Sequence, residues 1–175
     1  MNLQKKLSEI RLLLLDADGV LTDGGIYYPA DGREIKRFHV KDGFGIRLLM
    51  ESGIRVGIVT GRVSEALRQR CENLGIDLIF DGVKEKGPLL ETILAETDCK
   101  VGQIAFMGDD LPDIPLMQRV TLSVATADAH EAVRKAADMV CSCPGGGGAV
   151  RELCESILKA RGEWDNILRK YTEGT

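Results

Sequence analysis

The sequence has few aromatic residues, no excess of positive charge and no long hydrophobic stretch. Only 5% of its 175 residues are Phe, Trp or Tyr, and 23 Lys and Arg stand against 27 Asp and Glu, for a net charge of -4. Such a chain repels a polyphosphate partner unless its basic residues are segregated, so nucleic acid is not an expected ligand. Apolar runs such as Leu12–Leu15 are far too short to span a membrane.

Signals for export, disulfide bonding and zinc binding are also missing. The first residues, MNLQKKLSEIR, lack the apolar core and cleavage site of a signal peptide, and the five cysteines show no CxxC spacing. We therefore expect a cytoplasmic protein whose thiols are mostly buried. Cys141 and Cys143 lie two residues apart at a predicted strand end, which leaves metal binding there as an alternative.

What the sequence does contain is an alternation of short apolar runs and helical patterns. A length of 175 residues with 44% hydrophobic content fits a single domain, residues 1–175. Strands that are apolar on both faces and alternate with helices indicate an α/β three-layer sandwich around a mostly parallel, Rossmann-like sheet, with no large cap domain. The predicted strands are Leu12–Leu15, Val56–Val59, Leu78–Phe80, Ile104–Met107, Leu122–Val124 and Met139–Val140.

One segment, from about residue 24 to residue 40, breaks this alternation. Its turn signal, Pro29-Ala30-Asp31-Gly32, separates two extended stretches and predicts a β-hairpin that protrudes from the sheet. Because an isolated hairpin is marginal in water, we expect this one to act as a flap over the site or as a contact between subunits, with a decorative loop as the alternative.

Polar residues follow the predicted strands at the point where each strand ends. Asp16 and Asp18 follow the first strand, Thr60-Gly61-Arg62 follows the second, and Asp109 to Asp113 follow the fourth. Ligands of doubly wound sheets bind at this edge. Clustered carboxylates repel one another unless a cation lies among them, and oxygen ligands without His or Cys favour Mg²⁺. The pattern therefore predicts a magnesium site that binds a phosphate.

The same residue types suit phosphoryl chemistry. A carboxylate can attack phosphorus, and a second carboxyl group two residues on can protonate the leaving oxygen and then deprotonate a water. Lys86 and the Thr60 hydroxyl would hold phosphoryl oxygens, and the backbone N–H near Gly61 would add a dipole. The Arg62 fork suits a carboxylate, which it can bind through two hydrogen bonds.

Four motifs in order, DADGVLTDG, TGR, the lysine of KEKG and GDDLPD, resemble those of the haloacid dehalogenase phosphatase superfamily. FHVKDGFGIR, SVATADA and GGGGAVRE extend the resemblance, over nearly the whole chain, to the 3-deoxy-D-manno-octulosonate 8-phosphate phosphatase family. The resemblance implies Asp16 as nucleophile, Asp18 as general acid/base, and Thr60 and Lys86 as phosphate anchors. It further implies that Asp16, the carbonyl of Asp18 and Asp109 bind Mg²⁺, with Asp113 supporting the metal, and that the protein is a homotetramer.

One departure bears on the substrate. Family members usually carry a basic residue in the GG-x-GAVRE segment where this chain has Gly147. A phosphatase for a nine-carbon sialic-type acid 9-phosphate is therefore an alternative, as are a catalytically silent regulatory subunit and phosphoryl transfer to an acceptor sugar. The sequence also leaves open whether Gly145–Gly148 closes over the site. A calcium loop, a P-loop and a dinucleotide fingerprint are excluded by missing residues.

Overall fold

The computed structural model describes residues 1–173, within which one sheet of six strands is flanked by helices. The strands are β1 (Leu12–Leu15), β2 (Arg55–Val59), β3 (Leu78–Phe80), β4 (Ile104–Gly108), β5 (Leu122–Ala125) and β6 (Met139–Val140). The helices are α1 (Leu3–Glu9), α2 (Val40–Glu51), α3 (Glu65–Leu74), α4 (Leu89–Thr97), α5 (Ile114–Met117), α6 (Glu131–Ala136), α7 (Ala149–Ala160) and α8 (Trp164–Thr172). The six predicted strands are confirmed, with ends that differ by at most one residue.

The sheet is entirely parallel, in the order β3-β2-β1-β4-β5-β6. Leu12 at the start of β1 is level with Arg55 on one side and Ile104 on the other. The carboxyl ends of all six strands therefore lie along one edge. The strand order reverses on either side of β1, which places a crevice at the end of this strand.

Alternate leucines of β1 face two separate cores. Leu13 and Leu15 pack with residues of α2, α3 and α7, whereas Leu12 and Leu14 pack with residues of α4 and α6 on the other face. All four are fully buried. Burial on both faces explains why the strand is an unbroken apolar run instead of an alternating one.

The predicted β-hairpin is present only as one antiparallel bridge between Tyr27 and Ile35. The turn forms as expected, with the Gly32 N–H donating to the Pro29 carbonyl at 2.9 Å. No strand follows on either side of it. The second arm is held instead by its side chains: Ile35 is exposed, whereas Lys36, its neighbour, is buried and ion-paired. We call residues 25–39 the flap segment.

Residues 16–39 form the connection between β1 and α2, and they hold no folded unit large enough to be a cap domain. Among the described residues, none of the helices has the length and apolar character that crossing a bilayer requires.

Candidate active site

The cleft at the carboxyl ends of the strands has a volume of about 600 Å³. Asp16 follows β1 directly, and its N–H continues the sheet by donating to the Met107 carbonyl at 3.0 Å. The cleft brings together the catalytic and binding residues expected from the sequence, which are Asp16, Asp18, Thr60, Gly61, Arg62, Lys86, Asp109 and Asp113.

Lys86 links two of the carboxylates. Its Nζ lies 2.6 Å from Asp16 Oδ1 and 2.6 Å from Asp113 Oδ1, and the side chain is only 6% exposed. Burial opposes the charged form of this lysine, yet the two aspartates together raise its pKa. A phosphate bound in the cleft would therefore meet an ammonium group that stays charged.

Asp113 holds the loop after β4 in place. Its Oδ2 accepts the N–H groups of Asp109 and Asp110 at 2.9 and 3.1 Å, while its Oδ1 accepts from Lys86. Gly108 makes this possible, because a Cβ there would come within 2.5 Å of the Asp113 side chain. Both oxygens of Asp113 are thus used in orienting Asp109, Asp110 and Lys86.

Asp16 and Asp109 are crowded with negative charge. Burial, opposed by Lys86 and reinforced by Asp113, raises the pKa of Asp16 to about 6. Burial, with Asp16 and then Asp113 adding to it, raises the pKa of Asp109 to about 8. Asp109 Oδ1 is buried and accepts no hydrogen bond from any described residue. A pair of carboxylates in this state calls for a further cation.

Thr60 and Arg62 form the wall contributed by β2. Thr60 is buried, and its backbone is fixed by a bond from its N–H to the Phe80 carbonyl and by one from the Val83 N–H to its own carbonyl. Arg62 is half-exposed; its guanidinium donates to Glu34 and to the Tyr28 hydroxyl, and its Nε lies 3.7 Å from Asp18 Oδ2.

Comparison with known proteins agrees with this geometry. Residues 76–153 match the family model for haloacid dehalogenase-like hydrolases. The chain is 45% identical, over 160 residues, to the 3-deoxy-D-manno-octulosonate 8-phosphate phosphatase KdsC of Escherichia coli K12, covering 91% of this chain and 85% of that protein. The chain belongs to the 3-deoxy-D-manno-octulosonate 8-phosphate phosphatase family.

Solved structures of family members superpose over most of the chain. The phosphatase of Yersinia pestis matches with a TM-score of 0.91 and 44% identity, covering 93% of this chain and 88% of that one. The enzyme of Moraxella catarrhalis, solved with a magnesium ion, a phosphate ion and a KDO molecule, matches with a TM-score of 0.94 and 36% identity, covering 97% of both chains.

The residues of this family member fit Mg²⁺. Asp16, Asp109 and Asp113 each place one carboxylate oxygen within 4.8 Å of the others, in the one such group of three that residues 1–173 contain. The donors are all oxygen, which magnesium prefers. Asp109 Oδ1 is buried and has no hydrogen-bond partner among the described residues, so it is free to bind a cation. The side chain of Asp18 lies outside this group, so its backbone carbonyl is the atom left for the expected metal contact.

The glycine run Gly145–Gly148 packs against the loop that follows Asp16 and Asp18. A Cβ on Gly145 would lie 1.8 Å from the Gly19 carbonyl oxygen, and one on Gly146 would lie 2.4 Å from the Thr22 carbonyl carbon. The run is anchored by the Gly145 N–H, which donates to Asp128, and by the Gly148 N–H, which donates to Asp42. It is therefore a fixed support for residues 19–23 and not a flexible linker.

The alternative of a metal site at Cys141 gains no support from its surroundings. Its thiol is buried and lies 3.6 Å from the Ala149 carbonyl, and burial raises its pKa to about 12.

Sequence reasoning missed Glu34 and Lys36, which reach Ser64 and Asp18 from the flap segment. The sequence pattern that could have identified them is the order Glu34-Ile35-Lys36. Side chains of an extended chain alternate between its two sides, so Glu34 and Lys36 lie on the side opposite to Ile35.

Proposed function

We propose that the protein is a Mg²⁺-dependent phosphomonoesterase that hydrolyses 3-deoxy-D-manno-octulosonate 8-phosphate through a phosphorylated Asp16. The observation that carries this proposal is the convergence of Asp16, Asp109 and Lys86 at the end of β1, from three separate parts of the chain. The substrate is proposed from the relatives, which are named as phosphatases of this compound.

In the first step, Asp16 forms a bond to phosphorus while the bond between phosphorus and the sugar oxygen breaks. Asp18 gives its proton to that oxygen. Lys86, whose Nζ lies 2.6 Å from Asp16 Oδ1, and the Thr60 hydroxyl hold the phosphoryl oxygens. When bound by Asp16, Asp109 and the Asp18 carbonyl, Mg²⁺ would supply positive charge against the phosphoryl oxygens.

In the second step, a water molecule forms the new bond to phosphorus and gives its proton to Asp18. The bond between Asp16 and phosphorus breaks, which releases phosphate and restores both carboxyl groups to their starting states. Splitting the hydrolysis in this way gives two displacements that the same acid/base group can serve in turn.

The proposal is tested by phosphate release from purified protein in magnesium, with and without EDTA. We expect the eight-carbon substrate to be hydrolysed faster than a nine-carbon sialic-type acid 9-phosphate. The nine-carbon compound is kept as a second candidate because Gly147 offers no basic side chain at this position. Recovery of free sugar, and not of a phosphorylated acceptor, separates hydrolysis from phosphoryl transfer.

We also propose that the protein self-associates through the flap segment, as a homotetramer. Four large apolar residues of this segment are between 37% and 65% exposed, namely Ile26, Tyr27, Tyr28 and Ile35. Such a patch favours burial in an interface. Sedimentation of the purified chain tests this, and a monomer at all concentrations would contradict it.

A further inference from the structure

Lys36 is a buried ammonium group in the flap segment, most of whose other residues are exposed. Its side chain is 0% exposed, and its Nζ pairs with Asp18 Oδ1 and lies 3.4 Å from Glu34 Oε1. A charge removed from water is costly unless it is paired and hydrogen-bonded. The carboxylates of Asp18 and Glu34 therefore fix the position of the Lys36 ammonium group.

Glu34 is the fixed partner of the two. It accepts the Ser64 hydroxyl at 2.6 Å and the Arg62 guanidinium at 2.8 Å, and these bonds, led by that from Ser64, lower its pKa to about 2. Ser64 is also the N-cap of α3, where it accepts the Leu67 N–H at 3.3 Å. Lys36 is thus held by a carboxylate that is tied to the start of a helix.

Asp18 is the less constrained of the two partners of Lys36. It lies in an irregular turn, next to Gly19 with its φ of 87°, and its side chain is 22% exposed at the cleft. Lys36 does not line the cleft, so it can influence bound substrate only through the groups that it contacts. Its contact with Asp18 joins the flap segment to the catalytic turn.

We propose that Lys36 is a positioning residue, which holds the Asp18 carboxyl group in the orientation required for its two proton transfers. Because Lys36 occupies Oδ1, the oxygen left to carry the proton is Oδ2, which lies 3.7 Å from Arg62 Nε in the cleft wall. This inference rests on the proposed phosphatase function.

The test uses p-nitrophenyl phosphate, because its leaving group departs without a proton. Phosphorylation of Asp16 by this substrate does not need Asp18, whereas hydrolysis of the phosphorylated enzyme does. For Lys36→Met we expect a rapid burst of about one p-nitrophenol per active site, followed by turnover that is about 100-fold slower than that of the wild type, within the range for loss of an acid/base group.

Two further variants isolate the effect. Lys36→Gln keeps a hydrogen-bond donor to Asp18, so its turnover should be within about tenfold of that of the wild type. This variant also serves as the test if Lys36→Met fails to fold. The control is Lys135→Met, which removes an exposed lysine paired with Glu131 on the surface of α6 and should leave both phases unchanged.

The decisive comparison is made in the Asp18→Asn background. If Lys36 acts through Asp18, adding Lys36→Met there should change turnover by less than about twofold, as expected for residues that act as one unit. Three results would overturn the inference: unchanged turnover in folded Lys36→Met, loss of the burst together with turnover, or a further large loss in the double variant. If the wild type released phosphate neither from p-nitrophenyl phosphate nor from 3-deoxy-D-manno-octulosonate 8-phosphate, the proposed function would instead be refuted.

Discussion

The two sides of the cleft are built in different ways. The phosphate side, named for its proposed role, consists of residues that follow strands or lie in the loops beside them, and its charged side chains are buried or, for Asp109, partly buried. The leaving-group side, also named for its proposed role, consists of a turn, the flap segment and Arg62 after β2, where ion pairs replace regular structure. The residues of the phosphate side are Asp16, Lys86, Asp109 and Asp113; those of the leaving-group side are Asp18, Glu34, Lys36 and Arg62.

This difference indicates a division of labour. On the phosphate side, Asp16 and Asp109 directly follow β1 and β4, which pair with each other in the sheet. The leaving-group side is fixed by side chains, so single substitutions can loosen it while the fold remains. We therefore expect changes on the phosphate side to abolish activity and those on the leaving-group side to reduce it by degrees.

The largest effect is expected for Asp16→Asn, which replaces the carboxylate that we propose attacks phosphorus. Turnover should fall at least about 1,000-fold, because removing a nucleophile removes the covalent route altogether. Circular dichroism should show an unchanged fold. Asp77→Asn, at an exposed position before β3, is the matched control and should keep full turnover. Residual turnover near that of the wild type would remove Asp16 from its assigned role.

Asp109→Asn should separate activity from stability. Burial and neighbouring carboxylates raise the pKa of Asp109 to about 8, so without metal this group destabilises the fold increasingly as pH rises from 3.8 towards 8. In EDTA at pH 8, the Asn variant should therefore melt about 2–4 °C above the wild type, the shift expected for about 1 kcal/mol in a chain of this size. The difference should vanish near pH 4.

The same variant should lose phosphate release and should gain little stability from added magnesium, whereas the wild type should gain several degrees. Thermal melts of both proteins, with magnesium and with EDTA, at pH 4 and at pH 8, measure these differences. An Asn variant that is stabilised by magnesium as strongly as the wild type would show that Asp109 is not a ligand.

Gly145→Ala perturbs the leaving-group side through the loop that packs against the Asp18 turn. The added methyl would lie 1.8 Å from the Gly19 carbonyl oxygen and must displace the turn that carries Asp18. We expect turnover to fall about 10-fold to 100-fold and stability by about 1–3 kcal/mol. Gly102→Ala, where a methyl meets no atom within 4 Å, is the control. Equal behaviour of the two variants in enzyme assays and denaturant melts would show that the glycine run does not support the turn.

The smallest effect is expected for Arg62→Lys. A lysine keeps the positive charge but lacks the planar guanidinium, which has enough N–H donors to bind Glu34 and a substrate carboxylate at the same time. We expect the KM of the sugar-acid phosphate to rise about tenfold, while the KM of p-nitrophenyl phosphate, which has no carboxylate, stays the same. A parallel rise in both values would show that Arg62 serves the phosphoryl group or the flap segment and not the carboxylate.

The phosphate side could be predicted from the sequence because its positions follow from local patterns. A strand buried on both faces is an unbroken apolar run, so the end of Leu12–Leu15 locates Asp16, and the end of β4 locates Asp109. Parallel pairing then brings both to one edge. Even the helix stop at Gly75 after α3 follows from a local rule, and its φ of 79° agrees.

On the leaving-group side, Asp18 and Arg62 follow predicted strands and could be located in the same way, but their contacts with the flap segment could not. The contact between Lys36 and Asp18 joins residues 18 positions apart in the sequence, and that between Gly145 and Gly19 joins residues 126 positions apart. Neither follows from periodicity. The hairpin prediction considered backbone pairing alone, whereas ion pairs of Glu34 and Lys36 hold the second arm and leave Tyr27–Ile35 as the one bridge described.

The central claim is that Asp16 becomes phosphorylated, and acid quenching during turnover tests it most directly. Protein mixed with substrate and magnesium, quenched and digested with trypsin, should yield peptide 12–33 carrying one phosphoryl group, with fragmentation placing that group on Asp16. The Asp16→Asn variant should yield none. A phosphoryl group on another residue, or wild-type protein that releases phosphate at full rate while peptide 12–33 stays unmodified at every quench time, would contradict the account.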